Sequence, residues 1–407
     1  MKKRTFPLDL SARAYPMMKS RHTQSNFRFS ATLIEKVDPT ALKQALSDVL
    51  AFYPNFRAKI VPSFFWHKFK QNDAPLIVKE DDRPPLLPLR KKDTNGYPFR
   101  LAYLENEIIL EVFHAITDGD IGALFLSDLL TRYAEIVRDL PAHSFDRGLR
   151  LEDAFIKHGR KTSFFKASLG KYNGKSAIAL GKRDNYLPTA TLLSQEISIS
   201  DLKAAAKAND ATVTEYVAAC YIAAVLQGEK LPLKKPLCLF VPVNLRRFFA
   251  SETLQNFVCF ERITLEKGET DVSFAHILST VRTQFREKIT QENMQKRVDD
   301  VKLCFTLPIA RCLPLFIKKP CFKFVKWILD KVRQTAILSN VGSLSLPPET
   351  AEIVKDVKFF LNIGKNTPLN VAVLSYGNVC HVDLTCGLKS SEIPARFFSL
   401  LNSQGKK

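Results

Sequence analysis

Phe113-His114-Ala115-Ile116-Thr117-Asp118-Gly119 sets a histidine at the end of an apolar run, a carboxylate four residues on and a glycine behind it. An imidazole has an ordinary pKa of about 6.5, so near pH 7 it is mostly neutral and ready to accept a proton. Held at the lip of a strand, His114 could deprotonate a hydroxyl or amine as that group attacks an acyl carbonyl. Catalysis of this kind contributes roughly 10²- to 10⁴-fold. The plainer account is a histidine that caps a strand and bonds to backbone. Asp118 also has two candidate roles. As a second base it would face the substrate; as a structural residue it would pair with an arginine, because an unpaired buried carboxylate neutralises. Arg246 is the first candidate partner and Arg57 the second. Gly119 reads either as a close-approach or positive-φ glycine or as a plain helix start. A metal held by His114 and Asp118 lacks further ligands at a suggestive spacing.

The surrounding pattern supplies elements to position these groups. Phe27, Phe29, Ala31 and Leu33 alternate with polar residues, which predicts a half-buried strand. Asp38-Pro39 predicts a capped helix whose apolar stripe is Leu42, Ala45, Leu46, Val49 and Leu50. Tyr53-Pro54-Asn55 stops that helix, and a strand around Phe56 to Val61 carries Arg57. Ile108 to His114 reads as a strand and Ile121 to Val137 as a helix. Residues 157–191, rich in Lys, Gly and Ser, read as a crossover. Beyond it come a strand near Gln195 to Ile199, a helix capped by Ser200 or Asp201, a helix from Thr212 to Leu226, and a buried strand from Leu237 to Val243. Ala336 to Leu346, Asn370 to Tyr376 and Val379 to Thr385 are strand-like, and His381 in the last of these reads as core packing. Alternating strands and helices give an α/β class in two lobes.

The chain has 407 residues, enough for two full cores, with 46% hydrophobic and 25% charged residues. The N-terminus has charge but no apolar core, and no apolar stretch approaches the roughly 20 residues of a membrane span, so a cytoplasmic location is expected. Its eight cysteines begin at Cys220, form no C-x-x-C pair and mostly have apolar neighbours, which predicts buried thiols rather than zinc or disulfides. A formal charge of +19 fits nucleic acid, an anionic membrane or phosphate-bearing ligands. The basic residues are scattered without a nucleic-acid-binding motif, and no nucleic-acid partner is expected. Leu303 to Leu329 mixes large apolar residues and Trp327 with Arg311, Lys318, Lys319, Lys323 and Lys326. Peripheral membrane contact is one reading of it. Pro308, Pro314 and Pro320 should break this stretch into short pieces.

Four ordered motifs carry a resemblance: Tyr53-Pro54-Asn55-Phe56-Arg57, Phe113 to Gly119, Val241-Pro242-Val243-Asn244-Leu245-Arg246 and Ser339-Asn340-Val341-Gly342. Together they resemble the chloramphenicol acetyltransferase-like superfamily, which includes condensation domains. The nearest likeness is to stand-alone bacterial alcohol O-acetyltransferases, also called condensation-domain-like proteins, over nearly the whole chain. The resemblance implies two similar lobes, each a mixed sheet with helices, and a tunnel between them. It divides the chain into an N-terminal lobe (1–165), a crossover linker (166–192) and a C-terminal lobe (193–407). It gives the catalytic role to His114, an orienting role to Asp118 and close packing to Gly119. It places Ser339 and Asn340 near the tunnel as candidate oxyanion donors. The family usually has two adjacent histidines; here Phe113 replaces the first, and the second is the one given the catalysis. The implied activity is transfer of an acyl group from acyl-CoA, or an acyl carrier protein with its phosphopantetheine thioester, to an alcohol, or less readily an amine. The acceptor would be a small molecule or lipid-like, the protein a monomer, and no metal or redox cofactor is implied. A non-catalytic protein that uses the tunnel to bind a ligand or partner is the alternative.

Overall fold

In the computed structural model, residues 4–19, 25–163, 176–181, 183–329, 334–364 and 366–403 are described. Within the expected linker, residues 166–175 and 182 lie outside that set. Two sheet-containing lobes make up the molecule. The first lobe has a five-stranded sheet in the order Val354–Leu361, Asn26–Leu33, Glu107–Phe113, Phe99–Leu104, Val78–Glu80. Its pairs are antiparallel except the last, which is parallel. The second lobe has a six-stranded sheet in the order Val258–Leu265, Leu237–Asn244, Ala336–Leu344, Leu369–Tyr376, Val379–Leu388, Tyr186–Ser198. There Ala336–Leu344 runs parallel to both neighbours and the other pairs are antiparallel. Both sheets are therefore mixed. A small sheet of Thr5–Pro7, Lys68–Gln71 and Ala58–Val61 contains the strand expected around Phe56 to Val61, while its other two strands were not anticipated.

Helix boundaries follow local chemistry. Asp38 accepts from the N–H groups of Thr40 and Ala41 and starts Pro39–Val49. The expected stripe, Leu42 to Leu50, is buried in the first core. Thr212 and Glu215 cap Val213–Leu226 reciprocally. That helix is buried from Glu215 to Leu226, so it packs on every face rather than along one stripe. The following three expectations need correction. The cap of Ile199–Ala208 is Ser198, two residues before the anticipated serine, because the strand before it runs only to that residue. Pro308 and Pro314 do interrupt their stretch, but Pro320 lies inside the helix Leu315–Leu329. The strand Asn26–Leu33 is buried on both faces rather than one. Its polar side chains find partners there, since Arg28 approaches Asp81, Glu107 and Glu111 at 3.4, 3.8 and 3.7 Å.

Two features tie the halves of the chain together. Val354–Leu361, from the C-terminal stretch, completes the first lobe's sheet by pairing with Asn26–Leu33. Phe29 and Phe359 stack across that pairing with ring centroids 4.8 Å apart. Tyr186–Ser198 begins inside the stretch read as linker and forms an edge of the second sheet. Five cysteines are buried, Cys304 is half-buried, and Cys312 and Cys321 are exposed. Among the described residues no helix is long and apolar enough to cross a membrane.

Candidate active site

His114 follows the last residue of the strand Glu107–Phe113, and its own N–H donates to the carbonyl of Ser25 at 2.8 Å. Its ring lies between two aromatics. Tyr15 stacks on it nearly in parallel, with centroids 5.0 Å apart and an interplanar angle of 13°. The ring of Phe27 meets it edge-on at 5.3 Å. Phe27 can take that place because residue 122 is glycine: a Cβ there would stand 2.8 Å from the Phe27 ring. The ring is thereby fixed in plane and height by packing.

Its rotation and tautomer are fixed by hydrogen bonds. Nδ1 of His114 lies 2.9 Å from Oδ1 of Asn256. The amide orientation of Asn256 follows from Asp9, whose Oδ2 accepts from the Asn256 backbone N–H at 3.2 Å and from its Nδ2 at 3.3 Å. The other oxygen of Asp9 accepts from Ser11 Oγ at 2.7 Å and the Ala12 N–H at 2.8 Å. With its NH2 turned to a carboxylate, Asn256 offers its oxygen to the imidazole, so Nδ1 carries the proton. Nε2 is left with a lone pair, and among the described residues it has no hydrogen-bond partner. Burial pushes the carboxyl of Asp9 up, partly offset by the bonds from Ser11, Ala12 and Asn256. Burial likewise pushes the hydroxyl of Tyr15 far up, so it remains a neutral stacking face.

The loop after His114 is pinned to the segment Thr253–Phe257 by a set of cross-links. Asp118 is fully buried. Its Oδ1 caps the helix Gly119–Val137 by accepting from the Ile121 N–H. Its Oδ2 accepts from Nη1 of Arg246 at 2.7 Å and from the Phe257 N–H at 2.8 Å. Arg246 in turn donates through Nη2 to the carbonyls of Thr253 and Gln255. Thr117 Oγ1 donates to the Leu254 carbonyl. Asn55, also fully buried, donates to the carbonyls of Ile116 and Leu254. Its neighbour Tyr53 bonds Asp128 on the helix Gly119–Val137 at 2.6 Å. Both oxygens of Asp118 are thus engaged by donors from Arg246, the helix start and the segment around Phe257. Asp120 beside it is pushed up to about 6, first by burial and then by the charge of Asp118.

The remaining sequence candidates divide. Arg57 does not join Asp118: it is exposed and lies 3.7 Å from Asp73, because the strand Ala58–Val61 directs it to the small sheet. Gly119 is the first helical residue and has no left-handed backbone. A Cβ on it would come 3.3 Å from Val341 of the Ser339-Asn340-Val341-Gly342 element, so close packing on the second lobe's strand is what the glycine allows. That strand has a register shift between Asn340 and Gly342. The amide of Asn340 is engaged there, donating to Thr214 Oγ1 and accepting from the Gly342 N–H. Ser339 is buried on the same strand. Asn256, Asp9, Tyr15 and Gly122 were missed by sequence reasoning. Asp9 and Asn256 are 247 positions apart, and no local pattern joins them.

No protein-family description matches this sequence, and no curated protein sequence does. Solved structures do match. Polyketide synthase associated protein 5 from Mycobacterium tuberculosis is 16% identical with a TM-score of 0.60, over 99% of each chain. The trichothecene 15-O-acetyltransferase of Fusarium sporotrichioides is 12% identical with a TM-score of 0.64, over 99% of this chain and 95% of its own. The starter condensation domain of rhizomide synthetase, solved in complex with C8-CoA as an arginine-to-alanine mutant, is 11% identical with a TM-score of 0.65, over 99% and 95%. The protein therefore has the two-lobed fold of the condensation-domain and chloramphenicol acetyltransferase-like superfamily.

Proposed function

We propose that this chain is an acyltransferase that moves an acyl group from a thioester, acyl-CoA or carrier-bound, to an acceptor hydroxyl, with an amine as the less favoured acceptor. The observation that carries the reading is the imidazole of His114: one nitrogen is anchored by Asn256, the other is unengaged, and the ring is clamped between Tyr15 and Phe27. In this scheme Nε2 takes the acceptor's proton as its oxygen attacks the thioester carbonyl. The tetrahedral intermediate then collapses, the carbon–sulfur bond breaks, and the imidazolium returns the proton to the departing thiolate. Asn256 keeps the ring in the tautomer that can do this. A neutral amide partner, unlike a carboxylate, does not add a negative charge beside the imidazolium.

The developing oxyanion needs a donor, commonly the largest electrostatic contribution in acyl transfer. Of the two sequence candidates, Ser339 is the better, since the amide of Asn340 is already committed to Thr214 and Gly342. Asp118 and Arg246 hold the loop and contribute through His114 rather than by touching substrate. The known neighbours lend this reading context, one being named an acetyltransferase and another solved with C8-CoA.

The test is thiol release from a panel of acyl-CoA and acyl-carrier donors mixed with alcohols and amines, comparing wild type with His114→Ala. Turnover that drops at least 100-fold in a variant that still folds is the expected result, in line with the worth of a general base. Equal turnover in both proteins would remove His114 from the mechanism.

A further inference from the structure

The hairpin joining Ala58–Val61 to Lys68–Gln71 ends in Phe64, Phe65 and Trp66, and this tip is fastened to the helix Leu315–Leu329. Leu315 donates its N–H to the carbonyl of Phe64 at 2.7 Å, and Lys318 Nζ donates to that of Phe65 at 2.9 Å. The same ammonium lies 3.7 Å from the centre of the Trp66 ring, with Phe305 and Phe322 beside that ring at 5.8 and 6.3 Å. The buried imidazole of His67 is pushed down to about 4 by burial and by the neighbouring Lys319. The tip and the helix are thus one rigid unit.

What that unit presents outward is unusual for a water-facing surface. Phe64, Ile309 and Phe316 are 66%, 71% and 72% exposed, with Phe65 and Ile317 also exposed. Side chains this open project into solvent and do not line a groove. Arg311, Lys319 and Lys323 stand exposed among them. Residues 301–329 contain six Lys or Arg and no Asp or Glu, and residues 57–71 contain four and none. Lys326 and Trp327 lie outside the residues whose side chains are described.

We infer that this face docks the protein on an anionic lipid surface, with Phe64, Phe65 and Phe316 entering the headgroup boundary and Arg311, Lys319 and Lys323 pairing with lipid phosphates. Contiguous exposed apolar side chains mark interaction sites. Projecting aromatics flanked by exposed cations complement the apolar and negatively charged layers of such a membrane. A bilayer takes up protruding aromatics without a recess shaped to fit them, which an anionic carrier protein would have to supply. The face adjoins the active site: the helix Ala14–Met18 packs on Leu315–Leu329, Arg13 lies over Trp66, and Tyr15 stacks on His114. A docked molecule would hold its base one short helix from the bilayer, within reach of an amphipathic acceptor. Docking itself does not depend on the chemistry at His114.

The full chain is sedimented with vesicles of phosphatidylglycerol and phosphatidylcholine, and with pure phosphatidylcholine, at about 0.1 M salt. A charge of +19 alone would give some adhesion to anionic vesicles, so the decisive variant is Phe64→Ser/Phe316→Ser, whose sites are too exposed to endanger folding. Expected are binding to anionic vesicles, at least tenfold weaker partitioning of that variant, and a similar loss for Lys319→Glu/Lys323→Glu. Both tryptophans of the chain, Trp66 and Trp327, lie in these two segments. Brominated acyl chains should therefore quench wild-type fluorescence and leave the phenylalanine variant unquenched. No binding to anionic vesicles, or equal binding and no quenching difference between wild type and the phenylalanine variant, would overturn the inference.

Discussion

His114 and His381 both sit at strands, and both have carboxylates within two links, yet their surroundings differ in kind. His381 is fully buried in the second lobe's sheet, with Nε2 against Asp356 and Nδ1 3.4 Å from Ser194 Oγ. Neither of its nitrogens reaches the surface. Burial pushes the carboxyl of Asp356 up, but its bond to His381 and the charges of His381 and Lys358 outweigh this and hold it below the usual range. Glu196, Asp356 and His381 are close enough to share a cation. However, Lys358 already stands 3.4 Å from Asp356 and 4.0 Å from Glu196, so the cluster reads as an ion network. His114 has one nitrogen tied to a neutral amide and one open. A base needs an orienting partner and a vacancy, and only the first histidine has both.

The widest separation between the two is expected from alanine substitutions. His114→Ala should cut turnover by roughly 10²- to 10⁴-fold with little change in melting temperature. His381→Ala should do the reverse, leaving turnover per folded molecule intact while costing about 2–3 kcal/mol in denaturant unfolding. A catalytic defect in His381→Ala would erase the distinction.

Asp118→Ala comes next. It leaves the Arg246 guanidinium without its buried partner and frees the Phe257 and Ile121 N–H groups. A loss of about 3–5 kcal/mol in stability is expected, with turnover falling because the loop that carries His114 is no longer pinned. Unchanged unfolding in this variant would show that the cross-links do not hold the loop.

Asn256→Ala sharpens the comparison more finely, since it removes the anchor and leaves the base. A lost hydrogen bond of roughly 1–3 kcal/mol corresponds to about a 5- to 150-fold lower kcat, and the pH profile should change shape because the ring can swap tautomers. A variant impaired only in KM, with an unaltered pH profile, would make Asn256 structural.

The smallest effect concerns pH. Burial, opposed by bonds from Ser194 and the Phe359 N–H, pushes the Asp383 carboxyl up to about 6 near His381. The folded state therefore holds this proton more tightly than the unfolded chain. Its contribution is complete below about pH 4 and is lost as the pH rises towards 6. Asp383→Asn should flatten that decline, by at most about 3 kcal/mol, in melting curves across the range. A wild-type slope retained in the variant would assign the proton elsewhere.

Much of this was legible in sequence where the cause is local. Asp38-Pro39 and the stripe behind it specify their helix, and the apolar runs on either side of the His114–Gly119 element specify a strand end before it and a helix after it, whereas the cap that Asp118 supplies was not read. A buried carboxylate demands a cation, and Arg246 could be named as that cation because it ends one of the motifs that carry the family resemblance. Long-range features could not be read. Asn256 lies in a polar segment with no periodic signature, and its value arises only when the fold brings it between Asp9 and His114. Val354–Leu361 carries no mark that it completes the other lobe's sheet. Arg28 looks like a solvent-facing residue until Asp81 and Glu111 arrive from elsewhere in that sheet.

The account turns on which nitrogen of His114 is open, and nitrogen-15 histidine NMR of the wild-type protein near neutral pH observes this directly. The structure predicts that neutral His114 carries its proton on Nδ1, with the signal shifting in Asn256→Ala. A neutral His114 protonated on Nε2 in the wild type would contradict it, because the nitrogen assigned to accept the acceptor's proton would already hold one.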